Sequence, residues 1–525
     1  MKLNFCRVMR HLAMRHGEAE AIVNVERNRR YSFREYHLLT NRVANALLGP
    51  LGVGAGDRFM VILENDNLAL LHFPAFMKQL GTAVMSNLRD SLEEHRSQVE
   101  FLRPKVVFLE TRLLDTHLDM LRAAGCTVIA MDPIASPPPG VLCFWDLVAA
   151  VSDADNDVAL DQHAHVVLLR FTGGTTGRGK CAIYSPDILL GCRDGSLVQS
   201  DLGLGSDTRL LHAAPLSHGT QVPMYATFFM GGANITLNSL DLEAWRAVVE
   251  AEGVTHSFLV PTALYRLLEL QRSQPRRLST LRTVIYGAAP MSAAKLEDLL
   301  ACFGSIFVQG YAATEAFMII AMLDKADHRI DDDVARKRLA SAGRVTPGVE
   351  VFITDESGAE LPPGQVGEIR IRCRALAQGY YLNPEQTAIE FVDEAWRSGD
   401  LGYLDEAGYL FIVDRLKDMI ISGGFNVYAV EVESALASHP AVMMAAVIGL
   451  PHEEWGEAVH AEVVLRPGAA ASPEDLIAHV KDRLGSYKAP KSLALVADLP
   501  LSAVGKVLRR KVRERYWAGR ARNVN

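Results

Sequence analysis

The segment FTGGTTGRGK, Phe171 to Lys180, follows directly on the strand-like run VVLLR. Glycines let a backbone turn its N–H groups toward an anion, threonine hydroxyls add donors, and a lysine adds a movable positive charge. Phosphate binding is the chemistry these residues suit; a flexible surface loop is the plainer alternative. Gly174 to Lys180 also fits the GxxxxGK spacing of a P-loop, which requires serine or threonine next, as a magnesium ligand, and a helix opening at the lysine. Cys181 stands there instead, and CAIYSPD, with its apolar run and Pro186, predicts a strand and a turn. Two further segments, GAAP from Gly287 and GYAATEA from Gly310, follow the apolar runs TVIY and SIFVQ.

The elements that must position these segments alternate. Leu242, Trp245, Val248 and Val249 have helical spacing and stop at Gly253; the strand-like HSFLVP follows, then a helix from Thr262 to about Leu270. After TVIY and its turn, Ser292 can cap a helix whose Leu296, Leu299, Leu300 and Phe303 share one face, with Gly304 as its stop. Strands alternating with helices imply a parallel α/β sheet, and ligands of such sheets bind beyond the carboxyl ends of the strands, where GAAP and GYAATEA fall. After about Asp414 the elements shorten: a helix near Val430 to Leu436, strands in VMMAAVIGL and VHAEVVLRP, a helix started by Ser472 with Pro473 first, and a strand in KSLALVADLP. The expected division is 1–414, a charged hinge at 415–418, and a smaller α+β unit over 419–525.

The chain has 525 residues, enough for two to four structural units at roughly 150 residues each. Hydrophobic residues at 49% and charged residues at 22% exclude a disordered or collagen-like chain. A net charge of -8 lacks the basic footprint of a nucleic-acid binder and points to small solutes. Seven scattered cysteines, without CxxC pairs, read as reduced thiols of a cytoplasmic protein. Neither an apolar leader nor a run of ~18 apolar residues appears, so secretion and membrane spanning are not expected.

The ordered series FTGGTTGRGK, APLSHG, YGAAP, GYAATEA, GEIRIR, RSGDLGYLDEAGYLFIVDRLKDMIISGGFNVYAVEVE and PLSAVGKVLRR resembles the adenylate-forming enzymes over nearly the whole chain. That family includes acyl-CoA synthetases, aryl-CoA ligases, luciferases and peptide-synthetase adenylation domains. The resemblance implies a large N-terminal domain of mixed α/β sheets and a small mobile C-terminal domain. It implies that Thr172, Gly173, Gly174, Thr175, Thr176, Gly177 and Lys180 close over the phosphates of ATP. Tyr311, next to Gly310, would stack on adenine, beside the backbone of Gly287, Ala288 and Ala289. Thr314 would bond phosphate, and Glu315 would hold Mg2+, a hard cation suited to carboxylate oxygen. Asp400 would accept from both ribose hydroxyls with Arg415 as its companion.

The same resemblance places His218 beside the acyl pocket, with Gly287 and Ala312 at its wall, and makes Lys506 the cation bridging substrate carboxylate and α-phosphate. Lys417 matches the hinge, and Gly423, Gly424 and Phe425 match the loop that admits coenzyme A. The implied reaction has two halves: a carboxylic acid and MgATP give acyl-AMP and pyrophosphate, then CoA displaces AMP. The strings VPTALYRLL, YGAAPMS and KDMIISGGFNVYAVEVE look most like bacterial fatty-acyl and related carboxylate CoA ligases. A carrier protein as acyl acceptor, and a non-catalytic nucleotide-binding regulator, stay open. The regulator is prompted by Gly173, where the family has a hydroxyl residue, and by Cys181, where it has glycine. Arg178 and Gly179 replace a pair ending in proline, and Ala312 replaces a common glycine, which narrows the pocket toward smaller or flatter acids. Expected partners are the acid, ATP and CoA, without nucleic acid; a homodimer is the assembly contemplated.

Overall fold

The computed structural model describes residues 1–172, 180–502 and 505–517. Short runs of Val, Ile, Leu and Phe, buried along their length, form parallel strands because a parallel sheet must be covered on both faces. In the larger sheet, strands Phe307–Ala312, Thr283–Gly287, His256–Leu259, Arg209–His212, Ala233–Thr236 and Glu20–Asn24 lie parallel in that spatial order. The edges are antiparallel because the chain turns straight back, Ile319–Leu323 along Phe307–Ala312 and Arg29–Ser32 along Glu20–Asn24. The expected parallel core is therefore present, within a mixed sheet of nine strands.

A second sheet, of seven strands, carries the start of the glycine-rich segment. Leu168–Phe171 runs parallel to Thr82–Met85 and antiparallel to Cys181–Tyr184, with Phe171 opposite Cys181. Lys180 thus opens a strand, which removes the P-loop reading, since that motif needs a helix there. Pro186 departs from expectation: it begins the helix Pro186–Leu197 instead of a turn. At a first helical position its missing N–H costs nothing.

The helices form where their caps and faces predict. Leu242–Ala251 starts behind Asp241, whose carboxylate accepts from the Ala244 N–H, and it buries Trp245, Val248 and Val249. Ala293–Phe303 starts after Ser292, but Ser292 Oγ is buried without a partner among the described residues; its N–H donates to Tyr265 Oη at 3.1 Å instead. An antiparallel five-stranded sheet then contains Gly367–Arg372, Ala395–Leu404 and Leu410–Arg415.

The C-terminal region builds its own sheet from Ile420–Ser422, Phe425–Val427, the hairpin Val442–His452 and Gly456–Leu465, and Ser492–Leu495. Helices Ala429–Ala437 and Pro473–Leu484 cover it around Val432, Leu436, Val447, Val459, Leu476 and Val480. The second helix has the full capping box of Ser472 and Asp475. This region joins the larger one through apolar residues, Met444, Ile448 and Leu499 among them, that extend the large core, and through polar contacts: Arg266 grips Asp498 with bonds of 2.9 and 3.0 Å, Arg466 donates to Asp298 at 2.8 Å, and Lys295 donates to the Val442 carbonyl. Among the described residues no helix is long and apolar enough to cross a membrane.

One contact between neighbouring strands leaves no room for a side chain. Gly287 lies opposite Gly310, and a Cβ on Gly287 would stand 2.2 Å from the Gly310 carbonyl oxygen. Backbone in a sheet cannot move aside locally, so Gly287→Ala should lower stability by about 2 kcal/mol, within the range for overpacked sites. Denaturant unfolding checks this; a loss under about 0.5 kcal/mol would mean that the strands separate easily.

Candidate active site

Beyond the carboxyl ends of Thr283–Gly287 and Phe307–Ala312, three elements converge. Tyr311, at an irregularity in its strand, donates from its hydroxyl to Asp400 Oδ2 at 2.7 Å. Asp400 is paired across the antiparallel sheet with Arg415, whose Nε lies 3.4 Å from Asp400 Oδ1. Burial, reinforced by the Asp400 charge, pushes the Tyr311 phenol well above its ordinary range, so it remains a donor. Ala288, in the turn just before, adopts a left-handed φ of 68° and is exposed, turning the backbone at the strand end.

Lys506 enters this group from the far end of the chain. Gly505, at φ 82°, offers its carbonyl to Thr262 Oγ1 at 2.6 Å, and the Lys506 and Ser502 backbones close a tight turn. Loss of water contact, then the Arg415 cation, push the Lys506 ammonium down to about 8, with Asp400 acting in the opposite sense. His218 belongs to the same neighbourhood; its Nδ1 and Ser217 Oγ are 3.0 Å apart. Its pKa is pushed down to about 3, first by desolvation and then by Arg170, Lys506 and Arg89. The imidazole is neutral at physiological pH and offers one N–H and one lone pair.

The phosphate-side residues form a second cluster. Thr172 donates its N–H to the Lys180 carbonyl at 2.8 Å, closing the base of the glycine-rich loop; Gly173, Gly174, Thr175, Thr176 and Gly177 lie outside the described residues. Lys180 pairs with Glu390 and lies 5.3 Å from the centre of the Tyr380 ring. Tyr380 donates to Glu390, and its hydroxyl is also 2.9 Å from Glu315 Oε1. Glu315 is buried, and desolvation raises its pKa. A buried carboxylate whose charge is costly gains from a hard cation, so Glu315 fits the magnesium role, with phosphate and water supplying the other oxygens. Thr314 holds the neighbouring turn by accepting from Tyr184 Oη at 2.5 Å through its carbonyl.

Other expected residues stand apart. Ala312 is exposed, at the end of its strand. Lys417 lies between the strands Leu410–Arg415 and Ile420–Ser422, within electrostatic reach of Arg415, Lys180 and Asp400. Gly423 and Gly424 make a turn with left-handed φ values of 58° and 81°; Gly423 N–H donates to the Trp455 carbonyl, and exposed Phe425 faces Tyr487. These contacts stay inside the C-terminal region. Tyr380, Glu390 and Thr262 were not foreseen. The first two lie in GYYLNPEQTAIEF, where nothing in the spacing of a tyrosine and a glutamate marks them as neighbours of a lysine 210 positions earlier.

Tyr311 with Asp400, Lys506 beside them, and the cluster of Lys180, Glu390, Tyr380 and Glu315 bring together residues from two regions of one chain. A family model described as AMP-binding enzyme matches residues 9–381, and one described as AMP-binding enzyme C-terminal domain matches 431–506. The chain belongs to the AMP-binding enzyme family.

It is 40% identical over 519 residues to a feruloyl-CoA synthase of Amycolatopsis sp, covering 96% of each chain. It is also 40% identical over 445 residues to a medium/long-chain-fatty-acid–CoA ligase of Mycobacterium tuberculosis, covering 78% of this chain and 76% of that one. The crystal structure of ATP-bound MatB from Rhodopseudomonas palustris matches with a TM-score of 0.86 at 30% identity, over 98% of this chain and 99% of that one.

The site geometry makes a direct prediction for His218. Its ring should stay neutral until the pH falls to about 3, and imidazole NMR shifts, assigned with His218→Asn, should show no titration between pH 8 and 5. A midpoint above pH 5.5 would mean that the ring keeps its water and is not pressed by the neighbouring cations.

Proposed function

We propose that this protein is an AMP-forming acyl-CoA synthetase. The observation that carries the reading is the placement of Lys506 within electrostatic reach of Asp400, Arg415 and His218. An oxygen of the substrate carboxylate attacks the α-phosphorus of ATP and pyrophosphate leaves; CoA sulfur then attacks the acyl carbonyl, and AMP leaves. In the first half two anions approach one another, and a cation between them offsets the charge that accumulates. Lys506 has that role, while neutral His218 orients the carboxylate without opposing the lysine.

Asp400 accepts from the ribose hydroxyls, with Arg415 beside it, and Tyr311 presents its ring to adenine. Lys180, the hydroxyls of Thr172, Thr175 and Thr176, and the Thr314 hydroxyl hold phosphate oxygens. Magnesium, which Glu315 would hold, supplies further charge neutralisation at the phosphates when bound. For the second half, 415–418 acts as the hinge about Lys417, and the smaller region withdraws Lys506 and brings Gly423, Gly424 and Phe425 to the thioester site. The names of the relatives, a feruloyl-CoA synthase and a fatty-acid–CoA ligase, support CoA as the acceptor and a carboxylic acid as the substrate.

Lys506→Ala should retain ATP in equilibrium dialysis while acid-dependent pyrophosphate release falls by about 100-fold or more, the scale for removing one charge-stabilising donor. Retained pyrophosphate release would overturn the reading. In the free enzyme the lysine pKa is lowered to about 8 from its ordinary 10.5, so the ammonium is present below that value and is lost as pH rises through it. Wild-type kcat/KM for ATP–pyrophosphate exchange should therefore fall above about pH 8, and Lys506→Arg should move the fall upward. A further expectation concerns the ribose: Asp400→Ala should weaken ATP binding at least tenfold, and an unchanged Kd would remove that role.

A further inference from the structure

Arg170 is a buried cation that the reaction as described leaves unused. It lies on Leu168–Phe171, two residues before Thr172, and is 4% exposed. Among the described residues its guanidinium makes one hydrogen bond, from Nη2 to the Ser217 carbonyl at 2.7 Å, and no ion pair. Its remaining contact is the face of Phe317, 4.9 Å from the ring centre. A guanidinium has five donors in a planar fork suited to oxygen acceptors, and burying it without a counter-ion is costly.

The groups around it are also short of partners. Tyr225 packs on Phe317 and on His72, and its hydroxyl is buried without a hydrogen bond among the described residues. Both ring nitrogens of His72, which is fully buried, and Gln221 Oε1 also lack a well-formed hydrogen bond, His72 interacting only loosely with the Gln221 side chain and the Leu216 backbone. Gln221 is tied to the acyl side of the site, because its amide donates to the His218 carbonyl at 3.1 Å. Arg170 itself holds the residue next to His218. The His218 ring is within electrostatic reach of both Arg170 and Lys506.

We propose that Arg170, with Tyr225, His72 and Gln221, recognises an oxygen acceptor carried on the acyl body of the acid, away from the carboxylate that is activated. The inference rests on the acyl-CoA synthetase reading. A fork of donors, a phenol and a neutral imidazole suit a phenolic or alcoholic oxygen or a second carboxylate, while Phe317 and Tyr225 give the body an aromatic surface. A plain alkyl or aryl end would return no hydrogen bond to these groups, which is how buried polar groups reject an analogue lacking the matching atom.

ATP–pyrophosphate exchange with size-matched acids tests this: cinnamate against 4-hydroxycinnamate, and octanoate against 8-hydroxyoctanoate and octanedioate. Wild type should favour an oxygenated member at least tenfold in kcat/KM, and the two series distinguish a phenol from an aliphatic hydroxyl or carboxylate. Arg170→Met should erase that preference, lowering kcat/KM for the oxygenated acid at least tenfold more than for its plain partner, chiefly through KM; Arg170→Lys should restore part of it. Equal wild-type rates within every pair, or an Arg170→Met loss shared equally by both members, would overturn the proposal. If Arg170→Met does not fold, the wild-type pairs decide alone. Exchange with no acid at all would instead sink the synthetase reading.

Discussion

Charges of both signs are gathered into one place, and the architecture follows from how the Lys506 ammonium reaches it. Lys506 comes from the last described stretch of the chain, yet it is held beside Asp400 and Arg415 by a turn whose carbonyl bonds Thr262 on the larger region. Its reduced proton affinity reflects loss of water first and the nearby Arg415 cation second. The lysine is carried there on a small region with its own apolar core.

The contacts between the two regions differ in burial. Arg266 with Asp498 is half exposed on both sides, and exposed pairs of this kind contribute about 0–1 kcal/mol. Arg466 with Asp298 is more enclosed but still reaches the surface. By contrast, the anchor at the base is buried: Asp414 accepts from the Ala429 N–H at 2.6 Å and from Arg509 at 3.2 Å, and Arg509 also pairs with Glu433. Exposed pairs at the periphery thus coexist with a buried network that ties Asp414 to the smaller region.

The phosphate-side cluster shows the same economy of charge. Lys180, which the sequence presents as a free cation at the end of a glycine-rich loop, is paired with Glu390, and Tyr380 links that acid to Glu315. Two carboxylates joined through one phenol share the lysine's field, so neither is left as an isolated buried charge. Pairing of this sort lets the region stay folded without nucleotide while keeping both signs of charge where phosphate and metal would be received.

The order of motifs, the helix and strand alternation around GAAP and GYAATEA, and the strand that replaces a P-loop helix after Lys180 were legible because they depend on local periodicity and on residues adjacent in the chain. Local signals failed at Pro186, which can open a helix as readily as close a strand, and at Ser292, whose hydroxyl has no cap partner. Proximities between segments hundreds of residues apart were not legible: Glu390 to Lys180, Thr262 to Gly505, and Arg170 to Phe317 and the unpartnered polar atoms near His218. Chain sequence alone determined which chemical groups exist and which turns and strands carry them. Only the tertiary structure decided which charges meet, because burial and electrostatic pairing depend on distance through space, and packing of two sheets and a separate small core sets those distances.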